Sequence, residues 1–164
     1  METTYRIIVG IDGSDGADRA LRWAADEADR RNAAGQPAIL QALTAWAFDP
    51  TGELESVAIR LPDPRQAAED TLSAAVRRVR ETHPHTLIAA EAVHGPTSDV
   101  LVRASDDADL LVLGSHGHSR MYHAVLGSVA EACIRNATCP VLIIPMARAA
   151  SHRSTTTSAL DTTA

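Results

Sequence analysis

The chain has 164 residues, enough for one domain with a substantial core and too few for two of ordinary size. Acidic residues outnumber basic ones 21 to 15, a net charge of -6, so no positive field draws in nucleic acid or an anionic membrane surface. Every basic residue is arginine, which excludes a phosphate loop of the lysine-dependent G-x-x-x-x-G-K-[ST] kind, and the absence of a leader pattern or a long apolar run predicts a cytoplasmic protein.

Along the chain, five short apolar runs alternate with helical patterns, the signature of a parallel-sheet α/β domain. The first run, residues 6–11, is apolar on both faces and ends in the turn Asp12-Gly13-Ser14. Ala17, Leu21, Ala24, Ala25 and Ala28 then recur at helical spacing, with Ser14 placed to cap the helix and Gly35 to stop it. The spacing Gly10, Gly13, Gly16 reads G-x-x-G-x-x-G and so is not the G-x-G-x-x-G dinucleotide fingerprint.

A second strand is predicted over residues 38–45, and residues 48–64 lack periodicity and read as a long loop or lid over its C-terminal end. A helix over 66–82 turns Leu72, Ala75, Val76 and Val79 inward and stops at His83-Pro84. A strand over 86–93, a short helix after Gly95-Pro96 and a strand over 109–113 follow. The fourth helix opens after Gly127-Ser128, and the last strand, 141–144, follows Pro140, which suits a strand start or a sheet edge. Residues 1–146 form the domain, and the Ser/Thr/Ala-rich residues 147–164 read as a disordered tail. Cys133 and Cys139 cannot form a disulfide framework or complete a zinc site and read as reduced, buried thiols.

The chemistry concentrates after the fourth strand, where Gly114-Ser115-His116-Gly117, nine residues and Gly127-Ser128-Val129 spell G-x-x-G-x9-G-S. Gly114 and Gly117 can take positive φ and turn successive amides into an anion-binding nest. Gly127 and Ser128 open a helix whose unpaired N–H groups and positive dipole end favour phosphate, and the Ser128 hydroxyl can cap that helix and donate to a phosphate oxygen. Such a site supplies positive potential without lysine. His118 and Arg120 lie on the same loop, where Arg120 is either a phosphate ligand or a solvated surface residue. His116, His118 and His123 are either polar loop residues or, less readily, zinc ligands, since no acid is placed to support them.

Gly114, Gly117, Gly127 and Ser128, with the stretch from 108 to 144, resemble the universal stress protein family, and residues 7–13 are similar to its opening strand and turn. Presence of all these glycines resembles the branch of that family that binds ATP. The resemblance implies a Rossmann-like, doubly wound five-stranded parallel sheet in the order 3-2-1-4-5. Its switch point between strands one and four would bring Asp12, Gly13 and Ser14 together with the Gly114 loop. It also implies that backbone groups near Leu43 and Thr44 meet an adenine edge. Asp12 would bridge to the phosphates through Mg²⁺ or accept hydrogen bonds from ribose hydroxyls; otherwise it is a helix-start acid stabilised by the dipole. A homodimer through the edge strand Val141–Ile144 is expected on both exposure and resemblance, with a covering loop or tail as the alternative. No nucleophile or base aimed at a γ-phosphate is identifiable, so the expectation is a regulatory nucleotide binder, at most a slow ATPase, with a nucleotide-free dimeric scaffold as the remaining reading.

Overall fold

The computed structural model describes residues 4–47, 63–117 and 126–146. Its elements run β1 (Tyr5–Gly10), α1 (Asp15–Ala33), β2 (Ala38–Trp46), α2 (Pro64–Thr82), β3 (Ile88–His94), α3 (Thr97–Ala104), β4 (Leu110–Gly114), α4 (Ser128–Asn136) and β5 (Val141–Ile144). The five strands form one sheet in the order β3-β2-β1-β4-β5, with every pairing parallel. The order implied by the resemblance is therefore the observed one.

Side-chain alternation along the strands divides the core into two. Ile7, Val9, Leu40, Ala42 and Val112 pack with α1 and α2 on one face, around Ala20, Leu21, Ala24, Leu72 and Val76. Ile8, Leu43, Leu111 and Leu113 point the other way and pack with Leu101 of α3 and Cys133 of α4. β1 is paired on both edges and covered on both faces; Ile7 and Val9 are 0% and Ile8 1% exposed.

The element ends show where local chemistry prevails over periodicity. α1 starts as expected, with Ser14 Oγ accepting from Ala17 N at 3.2 Å, and the chain leaves it through Gly35 at φ 75°. α2 begins at Pro64, two residues before the helical pattern and inside the segment read as loop. Asp63 caps it, with Oδ1 accepting from Arg65 N at 3.0 Å, and proline is favoured at a helix's first position because its missing N–H would be unpaired there. β3 starts at Ile88 rather than at 86, because Thr86 is buried and its hydroxyl donates to Asp29 Oδ1 of α1 at 2.6 Å, pinning the turn to the helix instead. α1 and α2 are further joined by Arg78, which donates to both Asp18 carboxylate oxygens at 2.7 and 2.9 Å.

Cys133 is buried, whereas Cys139 is only partly so, and both are free thiols. No described helix is long and apolar enough to cross a membrane.

Candidate functional site

Where the strand order reverses, between β1 and β4, the connections from the two strands leave in opposite directions and open a crevice at the C-terminal strand ends. A cavity of about 430 Å³ occupies it. Its walls come from three places: the end of β1 and the turn into α1, the β4 end with the start of α4, and the start of α3.

The β1 wall is set by Asp12. Its Oδ1 accepts from Ser14 N at 2.9 Å, closing a tight turn that Gly13 completes at φ 82°, a backbone conformation in which a side chain is strained. Ser14 lines the cavity while its hydroxyl caps α1.

The β4 wall is main chain. Ser115 N donates to Ile144 O at 2.9 Å, and Gly127 N reaches back to Ser115 O at 2.8 Å, so the start of α4 is fastened to the end of β4. Gly114, Ser115, His116 and Gly117 line the cavity with Gly127, Ser128 and Val129. Ser115 is buried, and its Oγ lies 3.1 Å from His116 Nδ1.

Two expectations about this wall are corrected. Gly114 and Gly117 do not take positive φ; among the described glycines only Gly13, Gly35 and Gly95 do. Glycine is required there by close approach. A Cβ on Gly114 would stand 2.7 Å from the carbonyl carbon of Gly16, and one on Gly117 would stand 2.5 Å from Asp12 Oδ2. Nor does the Ser128 hydroxyl cap α4: the cap residue is Gly127, Ser128 is the first helical residue, and no described side chain caps this end. Among the described residues, then, no side chain takes the first-turn amides of α4, which border the cavity and can donate to an anion.

The structure therefore brings together Asp12, Ser14, Gly114, Ser115, Gly117, Gly127, Ser128 and Val129, with Gly13 in the adjoining turn. Leu43 and Thr44 do not line this cavity. The Leu43 carbonyl accepts from Ile11 N at 2.8 Å, and Thr44 is buried with its Oγ1 unpaired. His118, Arg120 and His123 lie outside the described residues, as does most of the loop over 48–64. Among the described residues no group of three or more potential ligands is placed to hold a metal ion.

Sequence reasoning missed the third wall, formed by Thr97 and Leu101 of α3 opposite Gly10, Ile11 and Leu113. Only the turn Gly95-Pro96 before α3 hinted at it, and that signals a helix start without saying what the helix faces. Gly16 was missed as well. A Cβ there would come within 2.9 Å of the His116 carbonyl, so α1 rests directly on the β4 loop.

The profile of the universal stress protein family matches residues 4–145. A universal stress protein of Mycobacterium bovis is 30% identical over 161 residues, covering 88% of this chain and 49% of that protein. One of Mycobacterium tuberculosis is 32% identical over 137 residues, covering 84% of this chain and 44% of that protein. The chain spans about half the length of these curated relatives. A solved structure of a universal stress protein in complex with cAMP superposes with a TM-score of 0.61 at 31% identity, covering 87% of this chain and 98% of that one.

Proposed function

The chain belongs to the universal stress protein family, and from that premise we propose that it is a cytoplasmic, nucleotide-dependent regulatory protein of the stress response that binds ATP between β1 and β4. The observation that carries this reading is the glycine-walled crevice into which the uncapped start of α4 opens. Main-chain amides of Gly117, Ser128 and Val129 serve as the phosphate donors, those of Ser115 and Gly127 being already given to Ile144 O and Ser115 O, so the absence of lysine is no obstacle. His118 and Arg120 are the loop residues assigned to assist them. Leu43 and Thr44 are assigned the adenine edge on the family resemblance.

Asp12 suits a magnesium ion that arrives with the nucleotide. One carboxylate held in a fixed turn matches Mg²⁺, which commonly keeps several waters and takes its remaining ligands from phosphate oxygens. When bound, the ion would neutralise phosphate charge beside that carboxylate.

A specific observation supports a second ligand reading, an adenine nucleotide with a single phosphate: the similar structure at 31% identity is a complex with cAMP. For hydrolysis the support is thin. Among the described residues only Asp12 and His116 bring a carboxylate or imidazole to the cavity, and Asp109 sits at the opposite end of the sheet, accepting from Arg6 N at 2.8 Å. Turnover, if measured, should be slow.

Mass spectrometry of the ligand released from freshly purified protein distinguishes ATP, AMP and cAMP from an empty pocket. Titration with ATP should show binding to the parent chain and none to Gly117→Glu, whose side chain would enter the space beside Asp12. Equal binding by both would sink the reading, and an empty pocket with no uptake would favour the scaffold.

The dimer is assigned to β5. The carbonyls of Pro140 and Ile144 accept from β4, so the intervening Val141 and Ile143 turn their N–H and C=O groups to the outer edge. Ile143→Pro removes one outward donor at a position where an edge strand tolerates proline. Light scattering after size exclusion should show a dimer for the parent and a monomer for the variant.

A further inference from the structure

We infer that the outer edge of β3 is a self-association surface, at which a second copy of the chain pairs antiparallel about a two-fold axis at Ala90. The inference is independent of the nucleotide reading above.

β3 is the far edge of the sheet from β5 and pairs only with β2. Leu87 O accepts from Leu40 N at 3.0 Å and Gly95 N donates to Trp46 O at 2.8 Å, so the odd-numbered residues bond β2, and Ile88, Ala90, Ala92 and His94 turn their N–H and C=O groups outward. Among the described residues one hydrogen bond falls on that row, a long one from Arg80 Nη2 to Ile88 O at 3.4 Å. Edge strands are ordinarily blunted by lysine, proline, a bulge or shortness. β5 has four residues set between Pro140 and Pro145, but β3 has seven in unbroken register with β2, no proline among them and none of the lysine that the chain lacks. Ala89, Ala90 and Glu91 are exposed at its middle, and Leu87 just before it is 71% exposed.

A second copy is the occupant that this edge fits. Centring the pairing on Glu91 would set that carboxylate against its twin, and like charges directly opposite destabilise. An axis at Ala90 exchanges hydrogen bonds between Ala90 and its twin and between Ile88 and Ala92, opposes Ala89 to Glu91, and lays the exposed Leu87 against Val93. The flanking helix agrees. Glu69, Ser73 and Arg80 share one side of α2 by their spacing, and the reach of Arg80 to Ile88 O sets that side over the β3 edge. Ile88 lies about 7 Å from the axis at a strand rise of about 3.4 Å per residue. The midpoint of Arg80 and Glu69 lies about 8 Å from Arg80 at a helix rise of about 1.5 Å per residue. The two-fold therefore brings Arg80 of each copy level with Glu69 of the other, a carboxylate whose described partner is the exposed Arg65 at 2.8 Å. Copies joined at β3 as well as β5 form an open chain, and because alanine buries little apolar area the β3 contact forms at high concentration.

Sedimentation equilibrium of the full chain should show the average mass still rising with concentration once the β5 dimer is complete. Ala90→Pro, which removes an outward N–H, should abolish that rise. Arg80→Glu and Glu69→Arg should each weaken the association about twofold to fivefold, and together restore it. Ala90→Cys should give a disulfide-linked dimer on oxidation by diamide, since a hydrogen-bonded antiparallel pair sets Cα atoms about 5.5 Å apart, within disulfide range. Ile88→Cys, whose twin stands about 14 Å away along the strands, should link no more than the parent. Ile143→Pro, at the opposite edge, should leave the Ala90→Cys link intact. The inference is overturned if the parent's mass stops at the β5 species, if the charge reversals leave the rise unchanged, if Ala90→Cys links no more than Ile88→Cys, or if Ile143→Pro abolishes the link. A parent that forms no β5 dimer while Ala90→Cys still links sinks the β5 assignment and supports this one.

Discussion

At Gly117 an added methyl would meet the Asp12 carboxylate, and at Gly114 it would meet the main chain of Gly16; the two substitutions should therefore fail in different ways. Gly117→Ala forces a side chain or the loop aside at the cavity edge, so nucleotide affinity should fall at least about tenfold while the unfolding midpoint barely moves. Gly114→Ala pits backbone against backbone and should lower stability by about 1–3 kcal/mol in urea unfolding, with nucleotide binding lost as well. Gly13→Ala should cost about 1–2 kcal/mol by a third route, the positive φ of its turn. The spacing of the glycines identified the residues of this wall correctly, but it could not tell why they are glycine. Positive φ is a local property that sequence can suggest; contact between Gly16 and Gly114, residues on different elements, exists only once the sheet is assembled. Thr97 stayed invisible for the same reason, since a threonine at a helix start is unremarkable until its neighbours are known.

Helix starts divide the described elements into those closed by their own side chains and those that are not. α1 is capped by Ser14 and α2 by Asp63, while α3 and α4 have no described side-chain cap and both border the cavity. Asp63→Ala should cost about 1 kcal/mol of stability in urea unfolding without altering nucleotide affinity. Element order and type were legible from periodicity, with boundaries displaced by a residue or two wherever a cap or a docked turn intervened, as at Asp63 and Thr86. The α4 contact that follows from packing is Cys133, whose thiol is pushed above its ordinary range by burial first and by nearby Cys139 second. A group held neutral in the fold contributes stability that is fully present below the unfolded thiol pKa of about 8.5 and is lost as pH rises beyond it. Urea midpoints should therefore fall on going from neutral to alkaline pH, and Cys133→Ser should flatten that decline. A thiol reagent should reach Cys133 only upon unfolding.

For the whole molecule, two cores share one sheet, and β1 belongs to both. Ile8→Ala opens the α3–α4 side beneath the cavity and should cost about 2–5 kcal/mol. The alternation of apolar runs and helices established the α/β class, but strand order was not contained in it; that came from the family resemblance, because long-range pairing leaves no local trace in one sequence. The assembled sheet also limits how such a pocket can be altered. Where α1 leans on the β4 loop, both partners are already the smallest residue, so that side has no side chain left to trim or exchange. Variation in what the crevice accepts must enter through side chains away from that seam, such as Ile11 after β1, Val129 of α4 or the exposed Thr97 of α3.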